Sequence, residues 1–509
     1  MFWSTYSAIG RYGAVLLAVL AFGVSAADAK PSCEALAKAA LSNTTILSAE
    51  FVAATQATLG DEGGTKSVPV PDLCRVEGRL GAYIHFAVWM PPADKWNGKF
   101  AMLGGGGLAG FISYVSMADA AARGYATAST DTGHDRASYT WLNDPERVRD
   151  YADRAVHETA IVAKTIIADF YGARATKSLF CGCSNGGRQG MIEAQRYPDD
   201  FDGIISGAPA FDYSGLLLTQ IWYRNAAFPG AAGSPSLLSS AVVKIVQDAA
   251  IAKCDGFDLV KDGVIENPDR CQFDPATVLC TTSATDNCLT PAQVAAVREV
   301  YSGVPSLQPG TPRIAGFQPG GETGWAFNTE HPELHPYVQA IFDSVIFHVA
   351  HWDWRSLKFP ADEKAVDGAF GKMFNADNPD LRRFQAHGGK LIIYQGWNDN
   401  LVPPTRPIAY VEDVARSMNA DPTPFLRLFM VPGMTHCAGG AGTDVFDKIA
   451  LLDNWVTHKQ APDRVIASHM ENGAVVRTRP LCLYPKVAHW SGHGSTDDAA
   501  NFTCVDDRK

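Results

Sequence analysis

The stretch LFCGCSNGGRQG, residues 179–190, constrains the fold of this chain more than any other. An apolar run empties into Gly182-Cys183-Ser184-Asn185-Gly186, which fits the pattern GxSxG, and helical spacing follows to about residue 196. In that pattern the serine sits on a strained strand-to-helix turn, and the glycines let neighbouring backbone pass closely. A chain with 46 glycines meets GxSxG readily by composition alone. The strand before it and the helix after it give the match its weight, because the motif works only in that context. Ser184 is therefore expected to be an activated nucleophile on an α/β sheet.

The rest of the sequence has the rhythm of such a sheet. KFAMLGGGG, GYATASTDTGH, SLFCGCS, FDGIISGAP, KLIIYQGWND and FLRLFMVPGMTH read as buried strands emptying into loops. Helical spacing separates them over residues 151–171, 185–196, 404–418 and 444–458, as in a sheet with helices on both faces. The alternation stops between residues 211 and 385, a segment rich in Pro, Gly, Trp and Cys, which reads as a lid inserted into the sheet domain. The expected organisation is a catalytic domain over residues 30–210 and 386–509, split by a lid over 211–385. At 509 residues the chain is long enough for both, and 46% hydrophobic against 19% charged residues is a globular balance.

A serine nucleophile needs a base and an orienting acid, each just past a later strand, in the order Ser, Asp, His. KLIIYQGWNDN offers Asp399, and FLRLFMVPGMTHC offers His436 beyond the next strand and a Pro-Gly turn. An oxyanion hole needs two backbone N–H groups. Asn185, directly after the serine, supplies one, and Gly106 or Gly107 of LGGGGLAG supplies the other. A phosphate-binding loop is the rival reading of those glycines, but no GK[ST] follows them.

The N-terminus carries Arg11, an apolar run from about Ala14 to Val24 and small-residue cleavage candidates after Ala26 and Ala29. That is the pattern of an export signal over residues 1–29, and a periplasmic or secreted protein is expected. No later stretch is apolar for long enough to span a bilayer. The net charge of −11 argues against nucleic-acid binding. Eleven cysteines in an exported chain give five disulfides and one leftover thiol. Spacing pairs Cys33 with Cys74, Cys254 with Cys271, Cys280 with Cys288 and Cys482 with Cys504, leaving Cys181, Cys183 and Cys437. Cys183 adjoins the serine and Cys437 adjoins the histidine, so a bridge between them would tie the two catalytic loops together. Pairing of Cys181 with Cys437 is the alternative.

At these residues the chain resembles the tannase and feruloyl esterase family, which includes mono(2-hydroxyethyl) terephthalate hydrolase. The resemblance rests on CSNGGRQG, on GWND with VPP, and on VPGMTHCAGG, with WNGKF and STDTGH as further similar features. It implies an α/β-hydrolase fold with a lid, a Ser184, Asp399 and His436 triad, and a Cys183–Cys437 bridge. It also implies a structural calcium ion in the lid, where CDGFDLVKDGVIENP places Asp255, Asp258 and Asp262, with backbone carbonyls from Val260 and Val264. Oxygen ligands of this kind suit a hard cation.

The substrate implied is a small ester of an aromatic acid, of feruloyl, galloyl or terephthaloyl type. Trp352, Trp354 and Phe359 are aromatics of the lid segment, and Arg355, Arg382 and Arg383 are its candidates for a carboxylate on the acyl group. An acyltransferase using the same triad, or a binding protein that has lost catalysis, is the alternative function.

Overall fold

The computed structural model describes residues 32–61, 64–231, 233–281, 287–306 and 312–506. The expected export signal lies outside them. Among the described residues nine strands form one sheet: β1 Thr44–Val52, β2 Leu73–Leu80, β3 Ile84–Met90, β4 Lys99–Leu103, β5 Ala126–Thr130, β6 Lys177–Cys183, β7 Gly203–Gly207, β8 Lys390–Gly396 and β9 Leu426–Val431. Their order across the sheet is β1-β2-β3-β5-β4-β6-β7-β8-β9. The first four in that order pair antiparallel, and from β5 to β9 every pair is parallel.

The two halves differ in sequence for a physical reason. Parallel strands covered by helices on both faces read as unbroken apolar runs, as Leu391–Tyr394 in β8 does. β1, at the open edge, alternates in burial and leaves Leu47 and Phe51 exposed. Residues 44–90, which precede the six apolar runs, hold three sheet strands and a hairpin, Thr55–Asp61 with Gly64–Val70. The six expected strands are all present, as β4 to β9.

Helices cover both faces. α1 Tyr114–Ala122 and α5 Lys448–His458 pack on one side through Met117, Leu452 and Trp455. α2 Ala155–Tyr171, α3 Asn185–Arg196 and α4 Arg406–Met418 pack on the other through Ile166, Met191 and Tyr410. Asp447 caps α5 by accepting the Ala450 N–H (3.1 Å), and α2 stops at Gly172 in the left-handed conformation. Two C-terminal hairpins follow, Arg464–Glu471 with Ala474–Cys482 and Lys486–Trp490 with Phe502–Asp506. No helix among the described residues is long and apolar enough to cross a membrane.

Residues 211–385 hold helices such as Tyr213–Ala227, Ser240–Cys254 and Pro291–Ser302, and those of them that are described contribute no strand to the sheet. They build an apolar core of their own around Leu217, Val243, Val297, Trp325 and Phe342, which Trp141 and Tyr151 of the sheet domain join. At the start of this segment the buried Asp212 carboxylate accepts from Arg313 (2.7 and 3.1 Å) and from Arg406 of α4 (2.9 Å). Burial alone would raise its pKa, but the two guanidiniums reverse that and hold it at about 2. One carboxylate thus ties the inserted segment to the sheet domain.

Candidate active site

The loops that follow β4, β6, β8 and β9 open on the same end of the sheet, where the parallel strands finish. Ser184 lies between β6 and α3 with φ 60° and ψ −121°, a conformation that costs about 1 to 3 kcal/mol for a residue with a side chain. The surroundings impose it. Ser184 donates its N–H to the Gly207 carbonyl (2.9 Å), and its own carbonyl accepts from Arg188 (2.9 Å) and Ala210 (3.2 Å). A Cβ at Gly182 would stand 2.4 Å from the Gly186 carbonyl oxygen, and one at Gly187 would stand 2.4 Å from that of Gly207. Only glycine fits at either position.

Asp399 lies just past β8 and is 2% exposed. Its Oδ1 accepts the N–H groups of Leu401 (2.8 Å) and Val402 (2.9 Å), while Oδ2 accepts from Gln395 (2.9 Å). The same Oδ2 meets His436 Nδ1 at 2.9 Å. Because the carboxylate can only accept, Nδ1 carries the proton and Nε2 is left to act as a base. Ser184 and His436 line one cavity of about 290 Å³, together with Gly106 and Gly107. Beside them, Cys183 is bridged to Cys437 with Cα atoms 6.0 Å apart. The four bridges expected from spacing are also formed, and Cys181 is the free thiol.

The glycine loop after β4 is held against the Ser184 turn by side chains. Asn185 donates Nδ2–H to the Gly105 carbonyl (2.9 Å), and Gly105 donates its N–H to Gln189 Oε1 (3.1 Å). Asn185 Oδ1 accepts from Tyr151 (3.0 Å) and from the fully buried Arg188 (2.9 Å). Arg188 continues to the Ala152, Tyr151 and Phe374 carbonyls at 2.9 to 3.1 Å, so it links the turn to the inserted segment. The N–H groups of Asn185, Gly106 and Gly107 make no hydrogen bond among the described residues.

Some of the cavity is invisible to motif reading. His134, from STDTGH, is 6% exposed, stacks on Trp141 at 3.9 Å and donates Nε2–H to the Leu108 carbonyl (2.7 Å), bracing the glycine loop. Burial lowers its pKa, which favours the neutral ring. Tyr139, from the loop after β5, and Phe327, His335 and Tyr337, from the inserted segment, complete an aromatic wall. The lid residues singled out from sequence do not line this cavity. Trp352, Trp354 and Arg355 border a separate cavity of about 700 Å³. Phe359 packs edge-on against Trp222, Arg382 pairs with Asp380 (2.5 Å), and Arg383 faces Asp199 (3.8 Å). Their aromatic or charged character fitted the ester expected from the resemblance, but the fold carries them elsewhere.

Between Cys254 and Cys271 the acidic turn is partly ordered by its own backbone. Asp255 accepts from Asp262 (3.3 Å) and Gly263 (3.1 Å), Asp258 from Val260 (3.1 Å), and Asp262 Oδ1 from Val264 (3.2 Å). Asp262 Oδ2 also accepts from Arg477 and Arg479, each at 2.8 Å. Asp258, Asp262 and Glu266 line one small cavity, where Glu266 accepts the Ala488 N–H (2.8 Å).

Residues 66–505 match the family model described as tannase and feruloyl esterase. An uncharacterised esterase of Xanthomonas campestris pv. campestris is 35% identical, with 96% of this chain and 94% of that protein covered. Mono(2-hydroxyethyl) terephthalate hydrolase of Piscinibacter sakaiensis is 31% identical over 86% of this chain and 85% of its own. The crystal structure of feruloyl esterase B from Aspergillus oryzae superimposes with a TM-score of 0.86 at 30% identity, covering 93% of this chain and 99% of that one.

Proposed function

The chain belongs to the tannase and feruloyl esterase family and is a carboxylic ester hydrolase, and from that premise we propose that it cleaves esters of aromatic acids through a Ser184, His436 and Asp399 triad. The observation that carries the proposal is the 2.9 Å contact from Asp399 to His436 Nδ1, with His436 and Ser184 facing one cavity. His436 accepts the Ser184 proton as the serine oxygen attacks the ester carbonyl. The tetrahedral oxygen is held by the Asn185 N–H and by that of Gly106 or Gly107, all left without acceptors among the described residues. His436 then returns the proton to the departing alcohol, and water releases the acid by the same steps in reverse order. Asp399 fixes the tautomer and stabilises the imidazolium.

The fold is read as an α/β-hydrolase in which residues 211–385 act as a lid, since Phe327, His335 and Tyr337 from that segment wall the cavity. Those rings, with Tyr139 and Trp141, favour a flat aromatic acyl group. Methyl ferulate, methyl gallate and mono(2-hydroxyethyl) terephthalate assayed side by side test this choice. Comparable turnover of a purely aliphatic ester of similar size would overturn the aromatic preference. An export signal over residues 1–29 accords with the five disulfides, which fit an oxidising compartment.

Calcium is proposed for the acidic turn. Asp255, Asp258 and Asp262 share one turn, and the guanidiniums of Arg477 and Arg479 both go to Asp262, so a divalent cation offsets the charge of the other two carboxylates. Asp255, Asp258 and Asp262 would hold the ion with the Val260 and Val264 carbonyls, a set of hard oxygen donors. The ion supplies no chemistry to the ester. It joins the inserted segment to the C-terminal hairpin that carries the two arginines.

A further inference from the structure

Far from any role in the ester chemistry, Glu193 of α3 is fully buried, and neither of its carboxylate oxygens receives a hydrogen bond. A buried carboxylate without donors is costly unless another group compensates it. Its neighbours are unusual. His157 of α2 and Asp200, in the turn before β7, each place one potential ligand atom within 4.8 Å of Glu193 and of each other, the one such trio of His, Cys, Asp or Glu among the described residues. His157 Nδ1 lies 2.6 Å from Asp200 Oδ2, and the imidazole is stacked on Tyr197 at 3.8 Å, which fixes its plane.

We propose that His157, Glu193 and Asp200 form a binding site for a divalent metal ion of the zinc class. One imidazole nitrogen with two carboxylate oxygens is a borderline donor set, suited to zinc, cobalt or manganese. Calcium, which takes oxygen donors in larger number, is poorly served by it. The charge balance agrees. Lys164 is the cation at the site, bonded to the Asp200 carbonyl and 3.8 Å from Asp200 Oδ1, and it offsets one of the two carboxylates. The nearby Arg196 is already paired with Asp153 at 2.7 Å. The Asp200 side chain is 12% exposed and that of His157 is 25% exposed, so an ion enters past the imidazole rather than through the core. On entry it displaces the proton held between His157 Nδ1 and Asp200, which leaves to solvent. The bound ion clamps α2, the nucleophile helix α3 and the turn into β7 to one another.

The test is equilibrium dialysis of chelator-treated, calcium-loaded protein against zinc chloride, with bound zinc counted by atomic spectroscopy. The wild type is expected to hold one zinc per chain more than His157→Gln or Glu193→Gln, with affinity in each variant lower by at least about tenfold. Cobalt chloride should give a visible absorption band in the wild type that both variants lack. Ester hydrolysis by the variants reports that they are folded, so a lost zinc is then a lost ligand. Equal zinc content in all three proteins overturns the proposal. So does a wild type that takes up no extra zinc and shows a protonated carboxyl band in its infrared difference spectrum against Glu193→Gln, because Glu193 and Asp200 then share a proton instead of a metal.

Discussion

Cys183 and Cys437 stand 254 positions apart in the chain and 6.0 Å apart at their Cα atoms. The serine after the first and the histidine before the second therefore reach one cavity under a single covalent tie. Replacing both cysteines by alanine should cost about 2 to 5 kcal/mol of stability, while the other four bridges remain. Activity should fall further than folding does, on the order of a hundredfold, since a shift of about 1 Å between nucleophile and base is enough. Thermal melts alongside turnover of folded protein separate the two. Full activity in the folded double variant would show that the bridge does not position the pair.

Ser184→Ala should lower turnover by about 10⁴ to 10⁶-fold with the fold intact. Ser184→Gly should be equally inactive but more stable than the alanine variant, by about 1 kcal/mol, because glycine tolerates the positive φ. Paired denaturation curves check the second half. If the glycine variant is no more stable, the turn is not strained.

Asp399→Asn should reduce turnover by about 10⁴-fold. The asparagine can offer an N–H where Nδ1 now donates, which favours the wrong tautomer of His436. Proton NMR of the ring should show the tautomer change.

Asp212 gives an acid-sensitive contribution. Its folded pKa of about 2 lies below that of an unfolded aspartate, so the stabilisation is present above about pH 4 and is lost as pH falls towards 2. The linkage amounts to about 2 kcal/mol. Asp212→Asn, which leaves Arg313 and Arg406 without their carboxylate, should be destabilised by about 3 to 5 kcal/mol at neutral pH. That gap should narrow towards pH 2. A gap independent of pH would assign the effect to packing.

Removal of calcium with a selective chelator should lower the melting temperature, and calcium added back should restore it. At a hundred times its dissociation constant an ion adds about 2.7 kcal/mol. The carboxylates of Asp255, Asp258 and Asp262 do not bring one oxygen each within 4.8 Å of the others, so the turn should also tighten as calcium binds. Asp258→Ala should abolish the response. A calcium-dependent melt in that variant would place the ion elsewhere.

The sequence exposes β4 to β9 because strands buried on both faces must be continuously apolar, and the residues proposed as the triad lie in the loops after such strands. Ser184, Asp399 and His436 were legible for that reason. β1 was not, since an edge strand of exposed and half-buried residues leaves a weak signal. The cavity wall was hidden differently. Phe327, His335 and Tyr337 come from a segment without a regular period, where only three-dimensional packing decides which aromatic faces Ser184. Trp352 and Trp354 have the same composition and neighbourhood in the chain, yet they line another cavity. Glu193 was unreadable because its significance lies in the hydrogen bonds it lacks.

β7 and β8 are adjacent in the sheet, with Ile204 opposite Leu391, but the whole of residues 211–385 intervenes. Parallel pairing across so long a connection requires a large loop to close before any contact rewards it, which slows folding. Until that closure the apolar face of β8 has no partner, and β9, whose one neighbour within the nine-stranded sheet is β8, waits with it. The late assembly leaves an adhesive strand in the unfinished chain, so yield on production should improve when synthesis is slowed or chaperones are abundant.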